Sequence, residues 1–167
     1  MAKTPLILIL TFFLAQKLNS TEIYGVPKII DGDTVHINNK KIRLEGIDAP
    51  EIKQQCKKPF LKISAIIGFE FNKDYSCGVM AKKKLVDKIN NSKIKCISSS
   101  KDRYKRFLAT CFKDKINLNK WMVRNGNAVA YKRYSKDYVR DEAYAKENKL
   151  GVWKGPFMMP EKWRKLN

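Results

Sequence analysis

The sequence predicts an α+β domain built around a small β-barrel. Strand-like alternation comes first along the chain, followed by a helical segment, a second pair of strands and two further helices. The 167 residues, 44% of them hydrophobic, suffice for one domain with a genuine core. Neither a repeat nor a low-complexity tract nor a linker divides the chain, so residues 21–167 are expected to form a single domain.

The first element expected is a β-hairpin within residues 22–47. Apolar and polar side chains alternate on both sides of a turn at Asn38-Asn39-Lys40. The pairing that sets apolar against apolar joins Ile37 to Ile42 and Val35 to Leu44.

This pairing brings carboxylates from two segments to one end of the hairpin. Asp33 lies opposite Gly46, and Asp48 follows two residues later. Strict alternation, however, would direct Asp33 and Arg43 to opposite faces of the ribbon. Bringing both into one site requires a bulge or a strong twist, for which Gly32 and Gly46 are the candidate positions.

Helical patterns mark three later segments, and two strands lie between the first and the second helix. The helices are expected from Cys77 to Asn91, through Leu118, Trp121 and Met122 to Gly126, and from a cap at Ser135 to Gly151. Residues 94–97 and 107–112 are predicted as strands around a tip at 102–106.

Two other stretches are less regular. Residues 49–77 show no sustained period, although the stretch from Ile63 to Phe71 is apolar enough for a short packed helix. The tail from Trp153 to Asn167 is aromatic and basic, and we expect it to lie on the surface of the core.

The N-terminus predicts export. Lys3 precedes an apolar run that ends before Gln16, as in a signal peptide, here expected over residues 1–20. The run is short for a transmembrane helix, so any membrane contact would come only through an uncleaved signal; a buried N-terminal helix is the other alternative. The expected location is therefore the periplasm or the medium outside the cell.

The four cysteines agree with an oxidising compartment. Cys96 and Cys111 lie almost symmetrically about the tip at 102–106, so they would face each other across its strands. Of the three possible pairings we expect Cys96–Cys111 and, by elimination, Cys56–Cys77. The alternative is four free thiols. A zinc site is disfavoured, since the chain has no C-x-x-C and a single histidine, His36, a strand surface residue to which we assign no role.

Charge is the dominant compositional signal. Lys and Arg total 35 against 16 acids, giving a net charge of +19. This balance predicts attraction to polyanions, nucleic acid first and an anionic membrane second, and the alternative is a generically basic protein.

The few acids and two groups of arginines could cut a phosphodiester. An arginine fork can hold two phosphate oxygens, carboxylates can hold a hard cation such as calcium, and a further carboxylate can activate water. The chain offers Asp33, Arg43, Asp48 and Glu51 around the first hairpin, and Arg103 and Arg106 on the second. Each has a structural alternative when taken singly, because Asp-Gly is ordinary turn chemistry and an exposed arginine is often only solvated.

Several motifs in order resemble the staphylococcal nuclease family, over a region from about Val26 to Trp153. They are Asp31-Gly-Asp-Thr-Val35, Arg43-Leu-Glu-Gly-Ile-Asp-Ala-Pro-Glu51, Cys77-Gly-Val-Met-Ala81, Asp102-Arg-Tyr-Lys-Arg106, Gly126-Asn-Ala-Val-Ala-Tyr131 and Gly151-Val-Trp153. The resemblance implies an OB-fold, a five-stranded barrel with three helices. It also implies a calcium-dependent phosphodiesterase that acts on DNA and RNA, which we expect to be a monomer with no obligate protein partner.

The resemblance also implies roles for individual residues. Asp33 and Asp48 match metal carboxylates, with the Ala49 carbonyl as a third ligand; Arg43 and Arg106 match phosphate-binding arginines; Glu51 matches the base that acts on water; Arg103, Tyr104 and Tyr131 match substrate-binding positions. Asp31 is expected to be structural.

Three departures from the family pattern affect these expectations. Arg103 stands where the staphylococcal enzyme has a lysine, which keeps the charge. Lys105 stands where the family usually has glycine, so a positive φ there would strain the turn and could displace Arg106. A lysine beside the phosphate could equally add binding charge. The segment from Ile52 to Ser76 is longer than its counterpart in the staphylococcal enzyme.

Three functions compete. An exported calcium-dependent nuclease accounts for both the charge and the acids. A non-catalytic nucleic-acid-binding OB domain accounts for the charge, but it would not need the full set of Asp33, Arg43, Asp48, Glu51 and Arg106. A binder of anionic membranes or cell wall leaves the carboxylates unexplained. The sequence therefore favours the nuclease.

Overall fold

The computed structural model describes residues 20–63 and 69–167. The strands are β1 (Thr21–Gly25), β2 (Lys28–Ile29), β3 (Thr34–Ile37), β4 (Lys40–Leu44), β5 (Ile47–Asp48), β6 (Gln55–Ile63), β7 (Phe69–Ser76), β8 (Ile94–Lys101), β9 (Phe107–Lys113), β10 (Ile116–Asn117) and β11 (Val129–Ala130). The helices are α1 (Cys77–Ile89), α2 (Leu118–Arg124), α3 (Val139–Glu147) and α4 (Pro160–Leu166), with a 3₁₀ turn at Gly151–Lys154. Apart from Ser20, the predicted signal peptide lies outside the described residues. Within those residues, every helix is too short or too polar to cross a membrane.

The main sheet confirms the predicted α+β class and the OB-type barrel. Its strands follow the order β1-β8-β9-β4-β3-β2, and β10 pairs with the last two residues of β9. All pairs are antiparallel except β4 and β9, which run parallel and curl the sheet into a half-barrel. In the described part of the chain this sheet has seven strands rather than five, and α4 in the tail is a fourth helix where three were expected.

The core lies between the curled sheet and α1. The alternating side chains of the first hairpin point into it, and Val35, Ile37 and Ile42 are fully buried. From α1, Ala81 and Leu85 complete the contact. Each large aliphatic side chain buried here contributes about 1.5–3 kcal/mol by leaving water, so this contact anchors the hairpin that carries the predicted acids.

The register of the first hairpin differs from the prediction by two residues. Val35 pairs with Ile42, and Ile37 pairs with Lys40. The cause is a tighter turn: Asn38 and Asn39 both adopt positive φ, 48° and 62°, as a two-residue hairpin turn requires. Because the shift is an even number of residues, the apolar side chains keep the predicted face.

The segment before α1 is a long hairpin, not the irregular stretch and short helix that were predicted. β6 and β7 pair antiparallel from Gln55–Ser76 to Ile63–Phe69, with a register shift just after Pro59. The predicted helix, residues 63–71, falls partly outside the described residues, and its described ends lie in these two strands. The period-two pattern of Phe69, Phe71 and Tyr75 was the overlooked signal.

Both predicted disulfides are present. Cys96 and Cys111 are directly opposite residues of β8 and β9, so the bridge crosses a single strand pair. Cys56–Cys77 ties the start of β6 to the first residue of α1. Closing loops of this size constrains the unfolded chain by about 3 kcal/mol each.

The two later predicted helices are present, but α3 differs at both ends, since it ends at Glu147 and not at Gly151. α2 begins after Asn117, whose side chain accepts a hydrogen bond from the Lys120 amide at 2.9 Å. α3 begins at Val139 rather than after a cap at Ser135, because the Ser135 hydroxyl instead accepts from the Asp137 amide within a preceding turn.

The tail crosses the body as predicted and then adds α4. Trp153 and Phe157 stack edge to face at 4.8 Å and pack against the buried Cys56–Cys77 bridge and Val152. This aromatic contact directs the last residues towards the end of the barrel where the predicted acids lie.

Candidate active site

The Asp31-Gly32-Asp33 stretch is a tight loop that presents Asp33 to the interior. The Asp33 amide donates to the Asp31 carboxylate at 2.9 Å, so Asp31 closes the loop. A Cβ at Gly32 would lie 2.6 Å from the Cβ of Ala49 and 2.9 Å from that of Ala81. Glycine therefore lets the loop press against both, and the Ala49 amide donates to the Asp33 carboxylate at 2.7 Å.

Arg43 joins the two predicted metal carboxylates without a bulge. Its Nη1 donates to Asp33 Oδ1, and its Nη2 donates to Asp48 Oδ1 at 2.9 Å. Arg43 is opposite Thr34 in the β3–β4 register, and Asp33 lies just before β3. Alternation therefore does not fix the direction of the Asp33 side chain, and the register of β3 and β4 contains no bulge.

Both aspartates are buried, and burying a charged carboxylate is costly unless it is paired with positive charge. Asp33 and Asp48 are 2% and 1% exposed. Burial raises the pKa of Asp33 to about 7, although Arg43 acts to lower it. Burial alone would lower the pKa of Arg43, but Asp33 and Asp48 raise it instead. Asp33 therefore needs positive charge close by in order to stay ionised.

This donor set fits a hard cation, although the protein supplies few of the ligands. The two buried carboxylates, the carbonyl of Ala49 next to Asp48 in the chain and the partly exposed Glu51 offer oxygen ligands of the kind that calcium prefers. Among residues 20–63 and 69–167, no three His, Cys, Asp or Glu side chains cluster as a metal site. A bound ion would therefore take its remaining ligands from backbone carbonyl, water and substrate phosphate.

Arg164 is a site residue that the sequence did not predict. From α4 it donates to both Asp48 oxygens at 2.8 and 3.0 Å and to Glu51 Oε1 at 2.9 Å. Its only sequence signal was the basic character of the tail, which does not single out one residue.

Arg106 is held within its own turn. The Asp102 carboxylate accepts from the Arg106 amide at 3.0 Å, from its Nε at 2.7 Å and from the Tyr104 amide at 2.9 Å. Burial acts to raise the pKa of Asp102, but the hydrogen bonds from Arg106 lower it overall. Lys105 adopts a positive φ, 62°, which is the condition under which strain was expected, and Arg106 is bound to Asp102 within that turn.

The sheet brings this turn close to Arg43. β9 runs parallel to β4 with Leu108 opposite Arg43, so Arg106 lies two residues before that partner. Two residues along the chain and one strand spacing across it, roughly 6.6 and 4.8 Å, place the two backbones about 8 Å apart. Arg106 lies outside β9, so alternation does not set the direction of its side chain, and its partner in the structure is Asp102.

The three predicted substrate residues fall in two places. Arg103 and Tyr104 lie at the exposed tip, where Arg103 donates to the Tyr104 hydroxyl at 2.6 Å. Tyr131 instead lines a cavity of about 340 Å³, together with Asp48, Met159 and Lys162. Burial raises the pKa of Tyr131.

Comparisons with known proteins identify the family to which this chain is similar. A family model described as staphylococcal nuclease homologue matches residues 41–155. An uncharacterized endonuclease of Haemophilus influenzae is 34% identical over 149 residues, and the match covers 84% of this chain and 71% of the endonuclease. The succinoglycan biosynthesis protein ExoI of Rhizobium meliloti is 33% identical over 135 residues, covering 79% of this chain and 65% of its own, just under two thirds. The micrococcal nuclease of Shigella flexneri is 27% identical over 160 residues, covering 85% and 80%.

Proposed function

Because the chain belongs to the staphylococcal nuclease homologue family, we propose that it hydrolyses phosphodiester bonds of DNA and RNA with the aid of calcium. Family membership confirms the predicted enzyme class, a hydrolase acting on nucleic acid. The observation that carries the finer proposal is the meeting of Asp33, Arg43 and Asp48 in one buried cluster, with Glu51 at its edge.

The aspartates and the Ala49 carbonyl would hold the calcium ion. Calcium bound there would polarise a phosphate oxygen and favour ionisation of a neighbouring water. The burial of both carboxylates supports this assignment, because a divalent cation would offset the cost of burying their negative charge.

Glu51 and the arginines would carry the remaining chemistry. Glu51, 32% exposed, is close enough to solvent to accept the proton of the attacking water as its oxygen bonds to phosphorus. The bond from phosphorus to the leaving oxygen breaks in the same displacement. Arg43 and Arg106 would donate to the phosphate oxygens as charge develops on them, which is where preorganised donors contribute most.

Location and assembly are part of the proposal. Two disulfides in the described chain indicate an oxidising compartment, which supports export through the predicted signal peptide. We propose that residues 21–167 act as one domain and as a monomer.

Digestion of plasmid DNA and of RNA tests the proposal. Cleavage should require calcium and stop with EGTA, and Glu51→Gln should lower kcat by about 10²–10⁴-fold through loss of the base. Arg43→Gly and Arg106→Ala should each lower it by about 10²–10³-fold. Glu22→Gln is the matched control, because it neutralises an exposed carboxylate on β1 and should leave kcat unchanged.

Binding without cleavage is the contrary outcome. If the protein retains DNA in a gel-shift assay with calcium or EGTA and cuts neither substrate, the non-catalytic OB-domain function replaces the nuclease. If Arg106→Ala keeps full activity, the assignment of that arginine is wrong, since Lys105 would then have moved phosphate binding elsewhere.

A further inference from the structure

Arg164 occupies the same carboxylate oxygens that the proposed metal site needs. Its two terminal nitrogens form a fork on Asp48, and one of them also bonds Glu51. Such two-point pairing between a guanidinium and a carboxylate is among the stronger hydrogen-bonded arrangements. The sequence separation from Asp48 is 116 residues, so the contact arises from the fold of the tail and not from a local turn.

Asp48 has little capacity left for a metal ion while Arg164 is in place. Its Oδ1 accepts from both Arg43 and Arg164, and its Oδ2 accepts from Arg164. A divalent cation bound to the same oxygens would lie within about 4 Å of the Arg164 guanidinium, where like charges repel strongly at low dielectric. Arg164 and the ion are therefore alternative partners of Asp48.

The helix that carries Arg164 is weakly held. Pro160 is the only buried residue of α4, and its remaining ion pairs are between exposed or half-exposed groups such as Arg133 and Glu161 at 3.7 Å. The firm anchor lies just before it, where the buried Gln54 side chain donates to the Met158 carbonyl at 2.6 Å. An element with so little buried surface opens at low free-energy cost, and Met158 provides a fixed point about which it can move.

We propose that Arg164 is a built-in counter-ion for Asp48 and Glu51, and that a divalent cation binds there only after α4 has carried Arg164 away. This inference rests on the proposed metal site. One contact then controls two groups, because the same displacement frees Asp48 as a ligand and Glu51 as a base. Movement of α4 would also open the cavity wall formed by Met159 and Lys162, beside Tyr131.

Calcium affinity measured by titration calorimetry tests the competition. Arg164→Gln should bind calcium about tenfold more tightly than the unaltered protein, because the unaltered protein is competent only in the fraction with α4 displaced. Lys162→Gln is the matched control: it removes the same charge from the same helix without touching the Asp48 fork, so its affinity should change much less. An Arg164→Gln affinity equal to or weaker than that of the unaltered protein would overturn the proposal.

Hydrogen exchange reports directly on whether α4 opens, and for Arg164→Gln the measurement needs no metal. In the unaltered protein, calcium should speed exchange of the Trp163 amide, which donates to the Met159 carbonyl at 2.9 Å. Arg164→Gln should show the faster exchange without calcium. If Arg164→Gln leaves that exchange unchanged, Arg164 does not hold the helix and the inference fails while the nuclease proposal stands. If α4 responds to Arg164→Gln but no protein binds calcium, the metal site itself is wrong.

Discussion

Lys105→Gly should stabilise the protein, because Lys105 pays a backbone cost in the turn that carries Arg106. The φ of Lys105 is 62°, in the left-handed region that non-glycine residues rarely adopt. That conformation costs an L-residue with a Cβ about 1–2 kcal/mol. The turn tolerates it because Lys105 donates its amide to the Asp102 carbonyl at 2.9 Å and the Asp102 carboxylate closes the loop from the other side.

The net effect is the difference of two terms. Glycine removes the left-handed cost, but it gives the unfolded chain more freedom and so loses about 0.5–1 kcal/mol. The expected gain in the free energy of unfolding is therefore about 0.5–1 kcal/mol. In a chain of this size each kcal/mol raises Tm by about 2–4 °C.

A matched substitution isolates the backbone term. Lys115 is another exposed lysine in a turn, between β9 and β10, but its φ is not positive. Lys115→Gly should destabilise the protein by about 0.5–1 kcal/mol, because it has no strain to relieve. The gap between the two variants, about 1–2 kcal/mol, then equals the left-handed cost alone.

Urea unfolding with both disulfides intact measures these values, provided that the slope m is unchanged between variants. Equal destabilisation by Lys105→Gly and Lys115→Gly would refute the strain argument and show that Lys105 stabilises the turn. The kcat of Lys105→Gly should match that of the unaltered protein, because Asp102 continues to hold Arg106.

Two further predictions concern buried or half-buried acids. Burial acts to raise the pKa of Glu142, but hydrogen bonds from Lys132 and Lys146 lower it below the usual value of 4.5. The ionised Glu142 therefore stabilises the fold above pH 4.5, and this contribution is lost as the pH falls through the lowered pKa. Glu142→Gln should therefore cost about 1 kcal/mol at pH 7, since the lysines are half exposed, with the deficit shrinking below pH 4.5 in urea titrations; a pH-independent deficit would contradict this. Asp102→Ala should lower kcat/KM about tenfold by releasing Arg106. Asp102→Asn should lose less activity, because its side chain still accepts hydrogen bonds from the backbone amides. Equal activity of both variants would show that Asp102 does not position Arg106.

The parts of the fold that follow from short-range pattern were predicted well. The first hairpin, α1, α2 and the strands flanking the Arg106 turn each carry their own periodicity and stop signals, and the Cys96–Cys111 bridge follows from two such strands. The register error of two residues arose because turn length, and not the apolar pattern, decides register when both choices keep the same face.

The β6–β7 hairpin was missed for a related reason. Its lysines interrupt the apolar alternation, and Pro59 argues against a strand interior, but the register shift just beyond it absorbs the proline. Phe60 and Phe71 of this hairpin remain 68% and 53% exposed, so the short alternation of Phe69, Phe71 and Tyr75 was the signal that the sequence offered for these strands.

Part of the site was predictable and part was not, because Arg43 lies close to the acids along the chain whereas Arg164 lies far from them. Asp33, Arg43 and Asp48 fall within 16 residues joined by one hairpin, so their meeting follows from local geometry. Arg164 reaches Asp48 across 116 residues, and nothing in its spacing distinguishes it from the other basic residues of the tail. A chain of net charge +19 contains many cations that could serve buried acids, and tertiary structure alone decides which ones do. The same excess explains why the choice matters. An arginine from the tail pairs with Asp48 and Glu51 at the positions where a divalent cation would otherwise bind.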